Sequence, residues 1–448
     1  MESQKQKVAK YIDVHQNEII QFLCDFIGFK SVNPGIPGKG QELDAQKWVK
    51  EKLEEFGFDK VDFWAVDEEK KRPNVVGTIK GKGKGGGKAL IYNGHCDVVP
   101  VSENELKRWT KDPWKAVVEN GCVYGRGASD MKGGLTSMIW AAKALIDNGI
   151  NLKGDLYVES VVGEESVEGR TIGARATVDR GYKAPFAVVS EPTDCEIHVK
   201  SPGVFFFELI IEGKEAHTSA RNQVIFPQRY GIPCGKEVGV DAIAKATPFI
   251  ELFQKLEVQF NQRWRDRILG GGGYPHPEDQ QGIGVFTINP SFIEGGTYLG
   301  AVPGYCKITY CVWYPDWVTD KEVWEELKRH VDALASTDDW LRENPPKFNA
   351  PILQRWEPMK EVPVDHPGVK SLLKAYREVS GKEPVISGFK AVADSTFLSQ
   401  AGIPTVLFGP GSLGSGIHGP DEFVPVNQVI ECAKTFAFMA MDWCGYTE

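Results

Sequence analysis

The segment LIYNGHCDVVP, residues 90–100, places His95 and Asp97 inside an otherwise apolar run that reads as a buried strand. Side chains two positions apart on a strand point to the same side, so the two polar residues are expected to share a face. A buried polar group is costly unless it is partnered. The pair therefore either satisfies itself and its neighbours or holds something positively charged. Similar residues recur at the ends of later apolar runs or in glycine-rich bends. They are Asp130 in GRGASDMKGG, Glu164 and Glu165 in VVGEES, Glu191 in VVSEPTD and His418 in GSGIHGPDE.

In open α/β sheets, ligands bind at the carboxyl ends of the strands, so residues this far apart in the chain can converge. Together they would supply two imidazoles and up to five carboxylates. Carboxylates packed together without cations repel, and some take up protons; two divalent metals would relieve that. Nitrogen and carboxylate oxygen without thiolate suit zinc, and also cobalt or manganese. One economical assignment gives His95 and Glu191 to the first metal, Glu165 and His418 to the second, and Asp130 to both. Asp97 then accepts the remaining ring N–H of His95 and fixes its tautomer. Glu164, left unbound, is placed to take a proton from a metal-bridging water and return it to a leaving amine. Singly, each residue has a plainer reading: a hydrogen-bonded HxD pair, a solvated GEES loop, Asp130 as a helix N-cap, Glu191 closing a strand, His418 idle in a loop. The combination favours the metal centre.

The elements that would position these residues follow from periodicity. Residues 5–27 carry apolar residues at helical spacing, and QELDAQKWVKEKLEEFGF reads as a helix ended by Gly57. NVVGTIKG and KALIYNGHCDVV read as strands. The intervening KGKGGGK is a turn and not a phosphate loop, because Lys82 and Ala89 break the required pattern and a strand follows. GGLTSMIWAAKALIDNG is a helix, and GDLYVESVVG and APFAVVSEP are strands, which together indicate an α/β sheet covered on both sides. After Gly203 the order becomes β-α-β-β-α-β, ending in PPKFNAPILQ, which implies a ferredoxin-like α+β insertion. The α/β texture then returns at HPGVKSLLKAYREVSG and PTVLFGPG. The expected division is a discontinuous catalytic domain, 1–202 and 358–448, around an inserted domain, 203–357.

The 448 residues exceed one ordinary core, and 42% hydrophobic with 25% charged residues is the composition of a soluble globular protein. A net charge of −9 without a long basic stretch argues against nucleic acid as partner. No apolar run approaches the roughly 20 residues of a membrane span, and the charged start MESQKQKVAKYIDVHQNEII has no secretory h-region. Nine scattered cysteines without a CxxC pair read as reduced thiols of a cytoplasmic protein.

In order and spacing, GHCDVVP, GRGASDMKGG, GEES, SEPTD and GIHGPDEFVPV resemble the zinc metallopeptidase and deacylase family that includes acetylornithine deacetylase, succinyl-diaminopimelate desuccinylase, aminoacylase and glutamate carboxypeptidase. The resemblance covers nearly the whole chain. It implies a zinc-peptidase-like mixed sheet holding two zinc or cobalt ions, and an inserted lid through which two copies dimerise. It carries over His95, Asp130 and Glu191 on one metal and Asp130, Glu165 and His418 on the other, with Asp97 as orienting aspartate and Glu164 as general base. His217 in EGKEAHTSA resembles the lid histidine that, in relatives, reaches the partner subunit's active site and stabilises the oxyanion; a typical donor of this kind is worth about 3 kcal/mol.

The chain departs from that pattern in the lid. Gly300 stands where relatives carry asparagine, and Cys311 and Trp313 stand where Asp-x-Arg is common. An indole cannot replace a guanidinium's bidentate grip on a carboxylate. Lys390 and Arg221 are substitute anion binders to consider, the long segment after His217 is a candidate pocket wall, and Asp394 reads as structural. The leading function is hydrolysis of an amide-type C–N bond in a small molecule, an N-acyl amino acid, an N-acyl amine or a short peptide. An alternative keeps the metals but acts as an aminohydrolase or deaminase on an aromatic or heterocyclic amine. A non-catalytic binding module would show a broken ligand or base position, and none is broken.

Overall fold

Eight strands form a mixed sheet, in the spatial order Lys60–Ala65, Pro73–Ile79, Leu156–Val161, Leu90–His95, Ala187–Val189, Thr405–Leu407, Ile197–His198 and Ile386–Ser387. The computed structural model describes residues 2–33, 40–83, 86–166, 168–220, 238–266, 268–269, 283–349 and 355–447. Leu90–His95 runs parallel to both Leu156–Val161 and Ala187–Val189, and Thr405–Leu407 extends the parallel set. Pro73–Ile79 pairs antiparallel with Lys60–Ala65 and with Leu156–Val161. Every residue of Leu90–His95 is buried, as expected of a central strand covered on both faces.

The helix Gly133–Asp147 is buried on nearly every side and packs against Val426–Cys444, itself largely buried. Two glycines allow its approach to the sheet. A Cβ on Gly94 would lie 2.7 Å from Met131 Cε and 3.0 Å from Leu135 Cγ, and one on Gly134 would lie 2.1 Å from the carbonyl oxygen of Ser190. The N-terminal pattern, read as one helix over 5–27, is two: Gln4–Val14, closed at its start by a Ser3/Gln6 capping box, and Gln16–Gly28. The break falls at His15, where backbone N–H and ring Nδ1 both bond to the Tyr11 carbonyl, at 3.1 and 2.8 Å.

Contacts divide the chain into two compact units. One is drawn from Met1–Ser201 and Met359–Glu448, the other from Pro202–Gly272 and His276–Pro358. The second unit has the order β-α-β-β-α-β: Gly203–Glu212, Ala242–Arg263, Thr287–Gly295, Tyr305–Tyr314, Asp320–Ala335 and Lys347–Asn349. Its sheet is antiparallel, with Gly203–Glu212 between Tyr305–Tyr314 and Lys347–Asn349 and with Thr287–Gly295 on the outside, which is the ferredoxin-like arrangement. Phe205, Phe207, Leu209 and Ile211 alternate inward and pack against Phe249, Phe253 and Leu327 of the helices. The part of PPKFNAPILQ beyond Asn349, together with Arg221 and the rest of the long segment after Ala220, lies outside the described residues. Among the described residues no helix is long and apolar enough to cross a membrane.

Replacing Gly134 with alanine drives a Cβ into a backbone oxygen that cannot rotate away. The expected loss is about 1–3 kcal/mol, read as a lowered denaturation midpoint at unchanged m-value; an unshifted midpoint would contradict the close packing.

Candidate metal centre

Three adjacent parallel strands deliver most of the polar residues. His95 ends Leu90–His95, Glu164 and Glu165 form a short turn after Leu156–Val161, and Glu191 lies just past Ala187–Val189. Their positions are the carboxyl ends of the strands, where backbone pairing stops and side chains can converge. Asp130 comes from the turn before the helix Gly133–Asp147, and His418 from a loop that it enters with φ of 57°.

Asp130 lies between the two imidazoles. Its Oδ1 is 3.1 Å from His95 Nε2 and its Oδ2 is 3.4 Å from His418 Nε2. Around His95 Nε2 stand Glu191 Oε1 at 3.7 Å and Glu164 Oε2 at 3.9 Å, while Glu165 Oε2 is 3.1 Å from His418 Nε2. One ligand atom from each of His95, Asp130 and Glu165 falls within 4.8 Å of the others. Glu191 Oε1 is buried with no hydrogen-bond partner among the described residues. An orphaned buried carboxylate oxygen, two imidazoles and two further carboxylates in this space fit a pair of divalent cations.

Asp97 differs from its expected role. The strand ends at His95, and it is the carbonyl of Asp97 that accepts from His95 Nδ1, at 2.8 Å; the carboxylate Oδ1 is 3.8 Å away. The ring tautomer is still fixed by residue 97, through main chain. The carboxylate instead accepts from the N–H of Gly163 at 3.0 Å, the N–H of Glu165 at 3.2 Å and Asn33 Nδ2 at 2.7 Å, so it holds the Glu164–Glu165 turn. Nor does Asp130 cap a helix: its φ and ψ of −120° and 94° are not helical, and the following helix has no side-chain cap.

The backbone around Asp130 is held by a residue that sequence reasoning passed over. Buried Glu422 accepts from the N–H groups of Gly127, Ser129 and Asp130, each at 3.0 Å, and from Arg126 Nη1 at 2.7 Å. It lies in the same GPDE stretch as His418, but nothing local signals that its partners are near residue 130. Asp394 is buried with neither oxygen hydrogen-bonded among the described residues, and it lies against Gly169, where a Cβ would approach Oδ1 to 2.6 Å. Lys390 is exposed. His217 belongs to the second unit, exposed on the short strand Ala216–His217, which pairs with Ala301–Val302. Its Nδ1 lies 2.8 Å from Ser219 Oγ and 3.2 Å from the Ser219 N–H, which it can accept from.

The electrostatics are those of crowded, buried carboxylates and imidazoles. Burial raises Glu164 well above the ordinary range, with Glu191 and Glu165 adding to it, and burial likewise raises Glu191 and Glu165. His95 is raised despite its burial, because Asp130, Glu164 and Glu191 surround it. His418 is pushed up to about 11 by Asp130 and Glu165, and Asp130, though buried, is held low by the two histidines. Asp394 is pushed up to about 7, by burial first.

The sequence matches peptidase family M20/M25/M40 over residues 91–442. It is 33% identical over 454 residues to an N-formyl-4-amino-5-aminomethyl-2-methylpyrimidine deformylase of Bacillus subtilis (strain 168), covering 99% of this chain and 99% of that protein. It is 27% identical over 374 residues to an acetylornithine deacetylase of Myxococcus xanthus, with 83% and 84% coverage. The fold is similar to that of a dinuclear metal-binding peptidase of the M20 family from Bacillus subtilis, with a TM-score of 0.63, 17% identity and coverage of 96% of this chain and 99% of that one.

Two outcomes follow from the geometry. Divalent metal must displace protons from the raised ligands Glu191, Glu165, His95 and His418, so affinity falls as pH falls and binding releases protons. Calorimetry in buffers of different ionisation enthalpy should show net release at pH 7, and metal binding without proton release would contradict the cluster. Glu422→Ala leaves three backbone N–H groups facing an emptied, buried position and Arg126 with Glu105 as its remaining partner. The expected cost is about 3–5 kcal/mol, read by thermal or denaturant unfolding, together with weaker metal binding.

Proposed function

The chain belongs to peptidase family M20/M25/M40, and on that footing we propose that it holds two divalent ions and removes the formyl group of an N-formylated aminomethylpyrimidine. It is a metal-dependent hydrolase of amide-type C–N bonds. The observation that carries the substrate class is the 33% identity to a deformylase over 99% of both chains. The lid sequence supports it. That substrate has no carboxylate, and Cys311 and Trp313 replace the polar pair suited to one. Both are half-buried on the strand Tyr305–Tyr314, on the face away from the second unit's core.

The assignment gives His95 and Glu191 to one ion, Glu165 and His418 to the other, and Asp130 to both. Zinc suits the nitrogen and oxygen donors, with cobalt or manganese as alternatives. When bound, the two ions supply Lewis acidity and make water a nucleophile near neutral pH. Glu164, buried beside them, takes a proton from the attacking water and delivers it to the amine nitrogen as the C–N bond breaks, releasing formate and the free amine. Asp97 keeps the Glu164 turn in place and orients His95. Nε2–H of His217 donates to the developing oxyanion.

The second unit serves as a lid and as the contact between two copies, with His217 reaching the active site of the partner subunit. Support comes from the outer strand Thr287–Gly295 and the turn after it, which expose Phe292, Ile293, Tyr298 and Leu299. Among the described residues that edge pairs with no further strand, and an exposed apolar sheet edge is a site for pairing with another chain. The free cysteines are those of a reducing, cytoplasmic compartment.

Zinc- or cobalt-loaded protein should release formate from the formylated aminomethylpyrimidine with kcat/KM at least 100-fold above that for N-acetyl amino acids or dipeptides. Ammonia as product would point to deamination, and a preference for N-acyl amino acids would refute the substrate class. Glu164→Gln should stay folded and metal-loaded while kcat drops by about 10²–10⁴; unchanged turnover would remove it as the base. Sedimentation should give a dimer that Phe292→Asp shifts toward monomer.

A further inference from the structure

Arg72 stands just before the strand Pro73–Ile79, and its guanidinium is buried between two carboxylates. Nε donates to both oxygens of Glu42, at 3.0 and 3.2 Å, and Nη2 donates to Glu42 Oε1 at 2.5 Å. Nη1 donates to Glu168 Oε2, which also accepts from Ser166 Oγ at 3.2 Å. Glu42 precedes the helix Leu43–Glu55, and its carbonyl accepts from the Gln46 N–H. Glu168 opens the turn Glu168–Arg170, close after Glu164–Ser166. Arg72 thereby ties a helix start and a strand start to the far side of the turn that carries Glu164 and Glu165. Asn74, two residues on, grips the same region: its Nδ2 donates to the Ile172 carbonyl at 2.6 Å, and its Oδ1 accepts from the Val162 N–H at 3.3 Å. Asp97 holds the near side through the N–H groups of Gly163 and Glu165.

A buried ionic triad adds little net stability over apolar packing of the same volume, so stability alone does not account for it. It does provide direction. The planar guanidinium has donors in a fixed fork, which sets angle as well as distance, and an ammonium group does not. His95 and Glu191 sit at the ends of other strands, Leu90–His95 and Ala187–Val189.

We propose that Arg72 is a positioning residue that, by gripping Glu42 and Glu168 together, fixes the turn on which Glu165 completes one of the two metal positions and Glu164 stands beside it. This rests on the two-metal reading above. Loosening the grip weakens the position completed by Glu165 and His418 and leaves the one built on His95 and Glu191 nearly intact. Glu168→Ala is the informative change, since Arg72 then keeps Glu42 as its counter-ion and is not left as an unpaired buried charge.

The test is zinc titration by calorimetry, with a chromophoric chelator as competitor, on the full chain and on Glu168→Ala, Glu168→Gln and Arg72→Lys. Cobalt absorption spectra and thermal unfolding are recorded on each. The wild type should bind two zinc ions. Glu168→Ala should bind the first within threefold of wild type and the second at least tenfold more weakly, with an altered cobalt spectrum at the second equivalent. Glu168→Gln, which keeps an oxygen acceptor for Nη1, should recover most of the loss. Arg72→Lys, which keeps the charge without the fork, should not. Two-site binding unchanged in the variants, or both sites weakened equally with a lowered melting temperature, overturns the proposal and leaves the metal reading standing. A wild type that binds fewer than two ions overturns both.

Discussion

Mutual repulsion among buried carboxylates is the constraint to which the rest of the first unit answers. Asp130, Glu164, Glu165 and Glu191 crowd around two imidazoles at the ends of three strands. Carboxylates held this close stay ionised only if cations are supplied, and in their absence several are driven toward protonation. Such a cluster must be held together by something stiffer than its own interactions. The sheet provides that for His95, Glu164, Glu165 and Glu191: each sits where a paired strand ends, so its backbone is fixed while its side chain points into the common space.

A second group of carboxylates does the holding. Asp97 and Glu422 have little to offer a metal, because their oxygens are already occupied by backbone N–H groups of the segments bearing Glu165 and Asp130. Among the described residues, Glu191 has an oxygen without any such bond, and Asp394 has two. Residue type does not separate these roles. Hydrogen-bond satisfaction does: a saturated carboxylate is a clamp, and an unsatisfied one is a ligand, a base or a protonated acid. The Arg72 triad extends the clamping one layer outward, so the turn bearing Glu164 and Glu165 is gripped on both sides.

The second unit answers to different physics. Its core is an alternating apolar sheet face under two helices, rich in aromatic rings such as Phe207 stacked on Tyr310 at 4.9 Å. Its other face carries half-buried Cys311 and Trp313. Amide hydrolysis is shared across the family, while the second unit of this chain carries side chains of its own.

Much of this was legible in the one-dimensional sequence. Periods of two and of 3.6 residues mark the strands and helices, and the shift to β-α-β-β-α-β order marks the second unit. Polar residues at the ends of apolar runs or in glycine-rich bends mark His95, Asp130, Glu164, Glu165, Glu191 and His418 as candidates to meet, because in combination, though not singly, they outweigh the plainer readings. The sequence could not tell which atom of residue 97 meets His95, since that depends on the chain turning just after the strand ends. It could not reveal Glu422, Asn33 or Arg72, whose partners lie 295, 64 and 96 residues away for the bonds to Gly127, Asp97 and Glu168. Local pattern determines what each segment can become. Only the packed chain decides which buried polar group is satisfied and which is left open, because that depends on hydrogen bonds between segments that have no neighbourhood in sequence.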